Sequence, residues 1–337
     1  MSALDSQEEE RKVRSSKPAN TEEISVVIPV KNQAKIIHKC LEGVFSQSLN
    51  PYEVIVVDGH SHDETVAEAN RFPIKLVFED YGSVGGARQV GLENAKGKYV
   101  AFTDSDCTPE SNWLENLVKG FESNIVGVGG GIKDVGTGLW GRSISIVMNT
   151  FLGSANSVQG RIFKKKKFVR SISGCNSMYL RETLMKIGGF NPRLSTNEDT
   201  DLNRRLSEVG RLLYVPDALI THNHGRRMKK FAERIFEFGK GRGSLFLWDW
   251  QFIPPIIVGL LILSLALSPW PLIAAICIYV FVVVAMGLKI TIQEKRLEYL
   301  VSVPVVYLVE HSSYSFGIWT GLLESVLKRL FARGSAV

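Results

Sequence analysis

The pattern of apolar and polar positions changes character twice along the chain. Up to Thr221, short apolar runs alternate with amphipathic stretches; Arg226–Arg242 mixes basic and aromatic residues; beyond Ile253 long apolar runs take over. Ile24–Val30 is β-branched and apolar throughout, as in a strand buried on both faces, with ladder pairing expected to end at Pro29. Lys31-Asn32-Gln33 leads into a helical pattern that places Ile36, Ile37, Cys40, Leu41, Val44 and Phe45 on one face. Tyr52–Val57 reads as a second buried strand, stopping at Asp58. Asp63 and Thr65 open another helix, Ile74–Phe78 is a third strand and Ala87–Ala95 a further helix. Lys98–Thr103 is then a fourth strand, stopping at Asp104-Ser105-Asp106. Strand–helix alternation at these lengths implies right-handed crossovers and an α/β fold with a mixed, mainly parallel sheet covered by helices on both faces. Ligands of such sheets sit beyond the carboxyl ends of the strands, so Pro29, Asp58 and Asp104 are expected to converge on one crevice.

The alternation continues with a helix at Trp113–Phe121 and a glycine-rich strand at Ile125–Ile132. Leu139–Leu152 has one apolar face, which suits a core helix or a helix lying on a membrane surface. Arg181–Ile187 is helical and closes at Gly188-Gly189, a C-cap signal. Asn197-Glu198-Asp199-Thr200-Asp201-Leu202 heads the next helix, where acids in the first turn suit the helix dipole. Leu212–Val215 and Ala218–Thr221 read as two short strands, and His222 follows at a strand end, as Asp104 does.

The remainder of the chain has a different solvent. Residues 226–250 read as an amphipathic helix at a membrane interface. Ile253–Leu288 is almost wholly apolar, longer than the ~20 residues of one crossing, and is broken by Ser268-Pro269-Trp270-Pro271. It is expected to form a hairpin of two short transmembrane helices. Arg242 before it and Lys289, Lys295 and Arg296 after it place both ends in the cytoplasm. Residues 299–330, interrupted by Pro304 and Glu310-His311-Ser312-Ser313, suit a third span or an interfacial segment. The net charge of +6 is concentrated in Lys164–Lys167, Arg226-Arg227 and Lys229-Lys230. Clusters beside an apolar tail favour anionic lipid head groups over nucleic acid as partners. Four cysteines without framework spacing fit a reducing compartment. Residues 1–23 are charged, lack the apolar core of a signal peptide, and are expected to be a disordered tail.

The most specific chemistry lies at Thr103-Asp104-Ser105-Asp106. Two hard oxygen ligands one residue apart at a strand end suit Mg²⁺ or Mn²⁺ carrying a diphosphate; the same residues also suit an ordinary turn or helix cap. His222 is a candidate third ligand.

Taken in order, several segments resemble family 2 glycosyltransferases of the GT-A fold followed by C-terminal membrane helices. They are Ser25–Asn32, Val56–Thr65, Gly85-Gly86-Ala87-Arg88, Thr103–Asp106, Gly188–Asn191 and Asn197–Leu202, then Arg205, Gly210 and the turn at His222. The resemblance spans roughly Glu23–Arg242, with the GT-A domain proper expected over 24–225. It implies that Pro29 and Val30 hold the nucleotide base, with Asn32 beside them, and that Asp58 binds base or ribose. Arg88 would approach the nucleotide. Asp106 would be the main metal ligand, with Asp104 and Ser105 near the ribose or the metal's water shell. Asp199 would be the catalytic base of an inverting displacement and Glu198 its partner in acceptor binding. Arg226 and Arg227 are expected to meet the acceptor's anionic head group.

The sequence departs from the family at Gly59, where many members carry a second acid. It also lacks the Gln-x-x-Arg-Trp motif of processive polysaccharide synthases. Together these readings imply an integral membrane enzyme with its catalytic domain on the cytoplasmic face. It would move one sugar from a UDP- or GDP-linked donor to a lipid-linked acceptor. A sugar nucleotidyltransferase would need a glycine-rich phosphate loop where Lys31-Asn32-Gln33 stands. A non-catalytic scaffold would not need a base opposite a metal.

Overall fold

A computed structural model describes residues 23–155, 157–158, 160–223, 227–247 and 250–334. The expected tail, apart from Glu23, and Arg226 lie outside the described residues. The first half alternates as its hydrophobic pattern requires: β1 (Ile24–Val30), α1 (Ile37–Phe45), β2 (Glu53–Asp58), α2 (Thr65–Ala69), β3 (Lys75–Phe78), α3 (Val84–Asn94) and β4 (Tyr99–Thr103). β1 pairs in parallel with β2 and β4, and β2 with β3. Side chains of a strand alternate between faces. Val26, Ile28 and Val30 of β1 accordingly meet Ile37, Leu41 and Val44 of α1 in one core, while Val27 meets Ala87 and Leu92 of α3 in a second. The sheet is therefore buried on both faces, as its continuous apolar strands demand.

After β4 come β5 (Cys107–Pro109), α4 (Trp113–Val118), β6 (Ile125–Asp134), α5 (Gly138–Met148), α6 (Phe151–Ser154), β7 (Lys167–Val169), β8 (Asn176–Leu180), α7 (Arg181–Lys186), α8 (Glu198–Leu206) and β9 (Arg211–His222). The strand order is β3-β2-β1-β4-β8-β6-β9-β5, with β7 also on β9. β8 runs antiparallel to β4 and β6, and β9 runs parallel to β6, so the sheet is mixed. The two strands expected at Leu212–Val215 and Ala218–Thr221 are one strand, β9. Its register against β6 jumps from Gly130↔Val215 to Gly131↔Leu219, so residues 216–218 stand off the ladder as a bulge. Pro216 has no amide hydrogen to give there. Gly130 admits the bulge, since a Cβ on it would lie 1.7 Å from the Ala218 carbonyl oxygen.

The C-terminal helices are α9 (Met228–Ser244), α10 (Ile253–Ser264), α11 (Trp270–Glu294) and α12 (Tyr299–Gly334). The apolar stripe of α9 carries Phe231 and Ile235, but it does not face lipid: α12 covers it. Both helices bring Gly-x-x-x-Gly to the contact. A Cβ on Gly239 or Gly243 would lie 2.3 Å from the carbonyl oxygen of Tyr314 or Ile318, and one on Gly317 or Gly321 would lie 2.1 or 2.0 Å from that of Phe236 or Lys240. Only hydrogen at these four positions lets the two backbones touch. Lys240 Nζ pairs with Glu324 at 2.8 Å and Ser325 Oγ donates to the Ser244 carbonyl at 3.1 Å.

For Leu139–Leu152 the core alternative holds. Ile144 and Val147 of α5 share a core with Phe231, Ile235, Val283, Val303 and Tyr307. Polar contacts bind the same surfaces: Ser143 to Ser302 at 2.8 Å and Thr150 to Tyr307 at 2.8 Å. The apolar stretch expected to form a hairpin of two spans folds as two helices, α10 and α11, parted at residues 265–269. α10 has 12 residues, about 18 Å at 1.5 Å per residue, short of a ~30 Å hydrocarbon core. Among the described residues one helix, α11, is long and apolar enough to cross a membrane. α12 is one helix of 36 residues running through Pro304.

Replacing Gly317 by Leu must force α9 and α12 apart. A destabilisation of about 2–3 kcal/mol is expected, read as a fall of several degrees in Tm of the detergent-solubilised protein. An unchanged Tm would mean that the glycine contact does not hold the helices.

Candidate active site

Three strand ends build one pole of the site. β4 stops at Thr103, and the Cys107 amide donates to the Asp104 carbonyl at 2.9 Å, closing a tight turn that presents Asp104 and Asp106. β5 then sets Cys107 opposite His222, and β6 sets Asp134 opposite the same histidine. His222 Nε2 lies 3.2 Å from Asp106 Oδ2 and Nδ1 lies 2.9 Å from Asp134 Oδ1. Burial alone would lower the His222 pKa, but the two carboxylates outweigh it and raise it to about 10. The ring is thus held at both nitrogens by Asp106 and Asp134, and a divalent cation bound at Nε2 would displace the proton shared with Asp106. Ligand atoms of Asp106, Cys107 and His222 all lie within 4.8 Å of one another. Burial pushes the Cys107 thiol well up, so it stays protonated, and the hard-cation donors here are Asp106 and His222.

The other pole is the start of α8. Arg88, on α3 and only 3 % exposed, points its fork at two carboxylates. Nη2 donates to Asp104 Oδ1 at 2.8 Å and Nη1 to Glu198 Oε1. Burial opposes the charge on Arg88, but Asp104, Glu198 and Asp199 outweigh it and hold the guanidinium protonated. Burial also pushes the Glu198 carboxyl up to about 7, against the pull of Arg88 and with the help of Asp199. Asp199, half-buried, accepts from the Gly174 amide at 3.0 Å and the Thr200 amide at 2.6 Å. Two N–H donors fix the direction of its carboxylate.

Pro29, Val30, Arg88, Asp104, Ser105, Asp106, Glu198, Asp199 and His222 line a single cleft of about 740 Å³. Asp58 and Asn32 are not among its lining residues. Asp58 is fully buried and accepts from the Ser61 amide and hydroxyl at 2.7 and 2.6 Å, while Asn32 (φ +54°) accepts from the His62 amide at 2.8 Å. Both build the turn behind the cleft wall, because a short acid next to a chain reversal satisfies nearby amides first. Glu79, just past β3, lines the cleft instead, and its Oε2 accepts from the Gly82 amide at 3.0 Å. A Cβ on Gly59 would sit 3.1 Å from Glu79 Oε1, so the missing side chain at Gly59 makes room for an acid from the next strand. The strand-end argument used for Asp104 applies equally to Glu79 and Asp134, and would have found both.

Arg88, expected to approach the nucleotide, lines the cleft and pairs with Asp104 and Glu198. Arg227 is exposed and lies off the cleft lining, as do Lys164–Lys167, of which Lys167 sits 3.5 Å over the Phe163 ring. The wall opposite the sheet was not foreseen: Phe231, Ile235, Phe238 and Arg242 of α9, with Glu310, His311 and Tyr314 of α12.

Residues 25–188 match the family model for glycosyl transferase family 2. These residues form a family 2 glycosyltransferase domain. The chain resembles glycosyltransferase AglE of Haloferax volcanii, 29 % identical over 239 residues that cover 67 % of this chain and 75 % of that protein. It also resembles a dolichyl N-acetyl-α-D-glucosaminyl phosphate 3-β-D-2,3-diacetamido-2,3-dideoxy-β-D-glucuronosyltransferase of Methanococcus voltae, 24 % identical over 334 residues, covering 89 % and 97 % of the two chains. The mannosyltransferase PcManGT of Pyrobaculum calidifontis, solved with GDP-Man and Mn²⁺, superposes with a TM-score of 0.56 at 17 % identity, covering 92 % and 93 %. That likeness extends the GT-A architecture across the C-terminal helices of this glycosyltransferase.

The family 2 site depends on an unobstructed Gly174. A Cβ there would lie 2.3 Å from Arg88 Nη1. Gly174→Ala is expected to push the guanidinium off its carboxylates, cost about 1–3 kcal/mol of stability and cut sugar transfer at least tenfold. Wild-type turnover in this variant, measured with saturating donor, would overturn the bracing role of the loop.

Proposed function

We propose that this glycosyltransferase transfers one sugar, with inversion, from a UDP- or GDP-linked donor to a lipid-linked acceptor at the cytoplasmic membrane face. The observation that carries this reading is the shared cleft: strand-end acids and His222 at one side, helices of the membrane region at the other. A divalent cation fits the donor set. The 3.2 Å between His222 Nε2 and Asp106 Oδ2 matches the separation of two neighbouring octahedral ligands with bonds of about 2.1 Å. Asp134 on Nδ1 is the carboxylate that orients a ligating histidine. Asp106 and His222 would hold the ion, with Asp104 near it. Mg²⁺ or Mn²⁺ bound there supplies a Lewis acid for the diphosphate leaving group.

The chain's own groups do the rest. Pro29, Val30 and Ser105, with Glu79 in place of Asp58 and Asn32, form the wall that takes the nucleotide. Asp199, aimed by the Gly174 and Thr200 amides, takes the proton of an acceptor hydroxyl as that oxygen attacks the anomeric carbon. Glu198, steadied by Arg88, positions the acceptor beside it. The lipid-linked substrate named for the Methanococcus voltae relative and the apolar helix α11 both support a membrane-held acceptor.

Two measurements test the reading. Donor binding is expected to raise Tm for one base class among UDP-, GDP-, CMP- and dTDP-sugars, only with Mg²⁺ or Mn²⁺; at a hundredfold excess over Kd the gain is about 2.7 kcal/mol. Asp106→Ala should abolish it, and a shift that survives this change or needs no metal would refute the ion site. Asp199→Asn should lower turnover about 10²–10⁴-fold while the donor-induced Tm shift persists. Intact turnover would remove Asp199 as the base.

A further inference from the structure

The wall of the cleft supplied by the membrane-proximal helices contains an acid with one oxygen left open among the described residues. Glu310 of α12 is 5 % exposed, and its Oε2 has no hydrogen-bond partner among the described residues. It lines the same cleft as Asp199. Its polar neighbours are already engaged. His311 Nε2 donates to the Leu152 carbonyl at 3.1 Å, which leaves Nδ1 to accept from the Tyr279 hydroxyl at 3.0 Å. The Tyr314 hydroxyl donates to Gln251 Oε1 at 3.1 Å. The surrounding wall is apolar, with Met148, Leu152, Phe231, Ile235 and Phe238. A carboxyl group held out of water with an open oxygen is a costly arrangement unless a ligand completes it.

We infer that Glu310 recognises hydroxyl or acetamido N–H groups of a saccharide already attached to the acceptor lipid. The inference rests on the reading of this cleft as the site of sugar transfer to a lipid-linked acceptor. It narrows the acceptor to a lipid-linked sugar and sets a bare polyprenyl phosphate aside. A phosphate monoester, once ionised, offers acceptor oxygens and no donor for the open Oε2. A sugar ring offers O–H and N–H donors to that oxygen and C–H faces to Phe231 and Phe238. Arg234 and Arg242, on the same wall, suit the phosphate that links sugar to lipid. The base role proposed for Asp199 goes with such an acceptor: a hydroxyl nucleophile needs its proton removed, whereas a phosphate oxygen is already ionised at neutral pH.

The test uses the full-length enzyme in detergent, the donor identified by the melting panel, and two acceptors: dolichyl phosphate, and dolichyl phosphate carrying one N-acetylhexosamine. The sugar-bearing lipid is expected to be used with a kcat/KM at least tenfold above that of the bare phosphate. Glu310→Leu is expected to raise KM for the sugar-bearing lipid about tenfold while KM for the donor stays within twofold. Glu310→Gln, which keeps the shape and one acceptor oxygen, should fall between, and decides the matter should the leucine variant fail to fold. Equal or better use of bare dolichyl phosphate, or an unmoved acceptor KM in both variants, overturns the inference alone. Donor hydrolysis with transfer to neither lipid overturns the lipid-acceptor reading itself, and this inference with it.

Discussion

A single buried cation ties the two poles of the site together. Arg88 reaches from α3 to Asp104 at the end of β4 and to Glu198 at the start of α8, with Asp199 beside it. A buried charge stripped of its partner costs about 3–5 kcal/mol, so the guanidinium and the carboxylates it meets stand or fall together. The local glycines follow from this constraint. Gly174 leaves the volume that the fork occupies, and Gly85 lets the start of α3 approach the Asn191 and Leu194 carbonyls, where any Cβ would collide at 2.3 and 2.8 Å. The acids at the two poles of the cleft are thereby held in one frame.

His222 shows the same economy by other means. Its position comes from register rather than from a loop: β5 and β6 flank β9, so Asp106 and Asp134 reach the two ring nitrogens from opposite sides. The bulge at residues 216–218 sits upstream in that strand, and the register beyond it is the one that places His222.

Much of this was legible in the sequence. Apolar runs of strand length gave the parallel half of the sheet, and strand ends pointed to Asp104, Asp106 and His222. Asp58 also ends a strand, but a reversal follows whose amides it serves itself. Glu79 stands just past β3 as Asp104 stands just past β4, so the same strand-end argument points to it. The pairing of Arg88 with Glu198 spans 110 positions of sequence and could come only from the closed fold. The wall from α9 and α12 was missed for another reason. An amphipathic stripe does not say whether lipid or protein will cover it, and here the two Gly-x-x-x-Gly stretches decide for protein.

Those glycines also join the helices of the membrane region to the site. With no side chains at the crossing, the distance between α9 and α12 is set by backbone contact and cannot breathe by rotamer changes. α9 in turn receives the loop before α8 through Asn197 Nδ2 on the Phe238 carbonyl at 3.1 Å. The start of α8, with Glu198 and Asp199, is therefore tied to the helix that carries Glu310 by one backbone-to-backbone crossing and one side-chain amide.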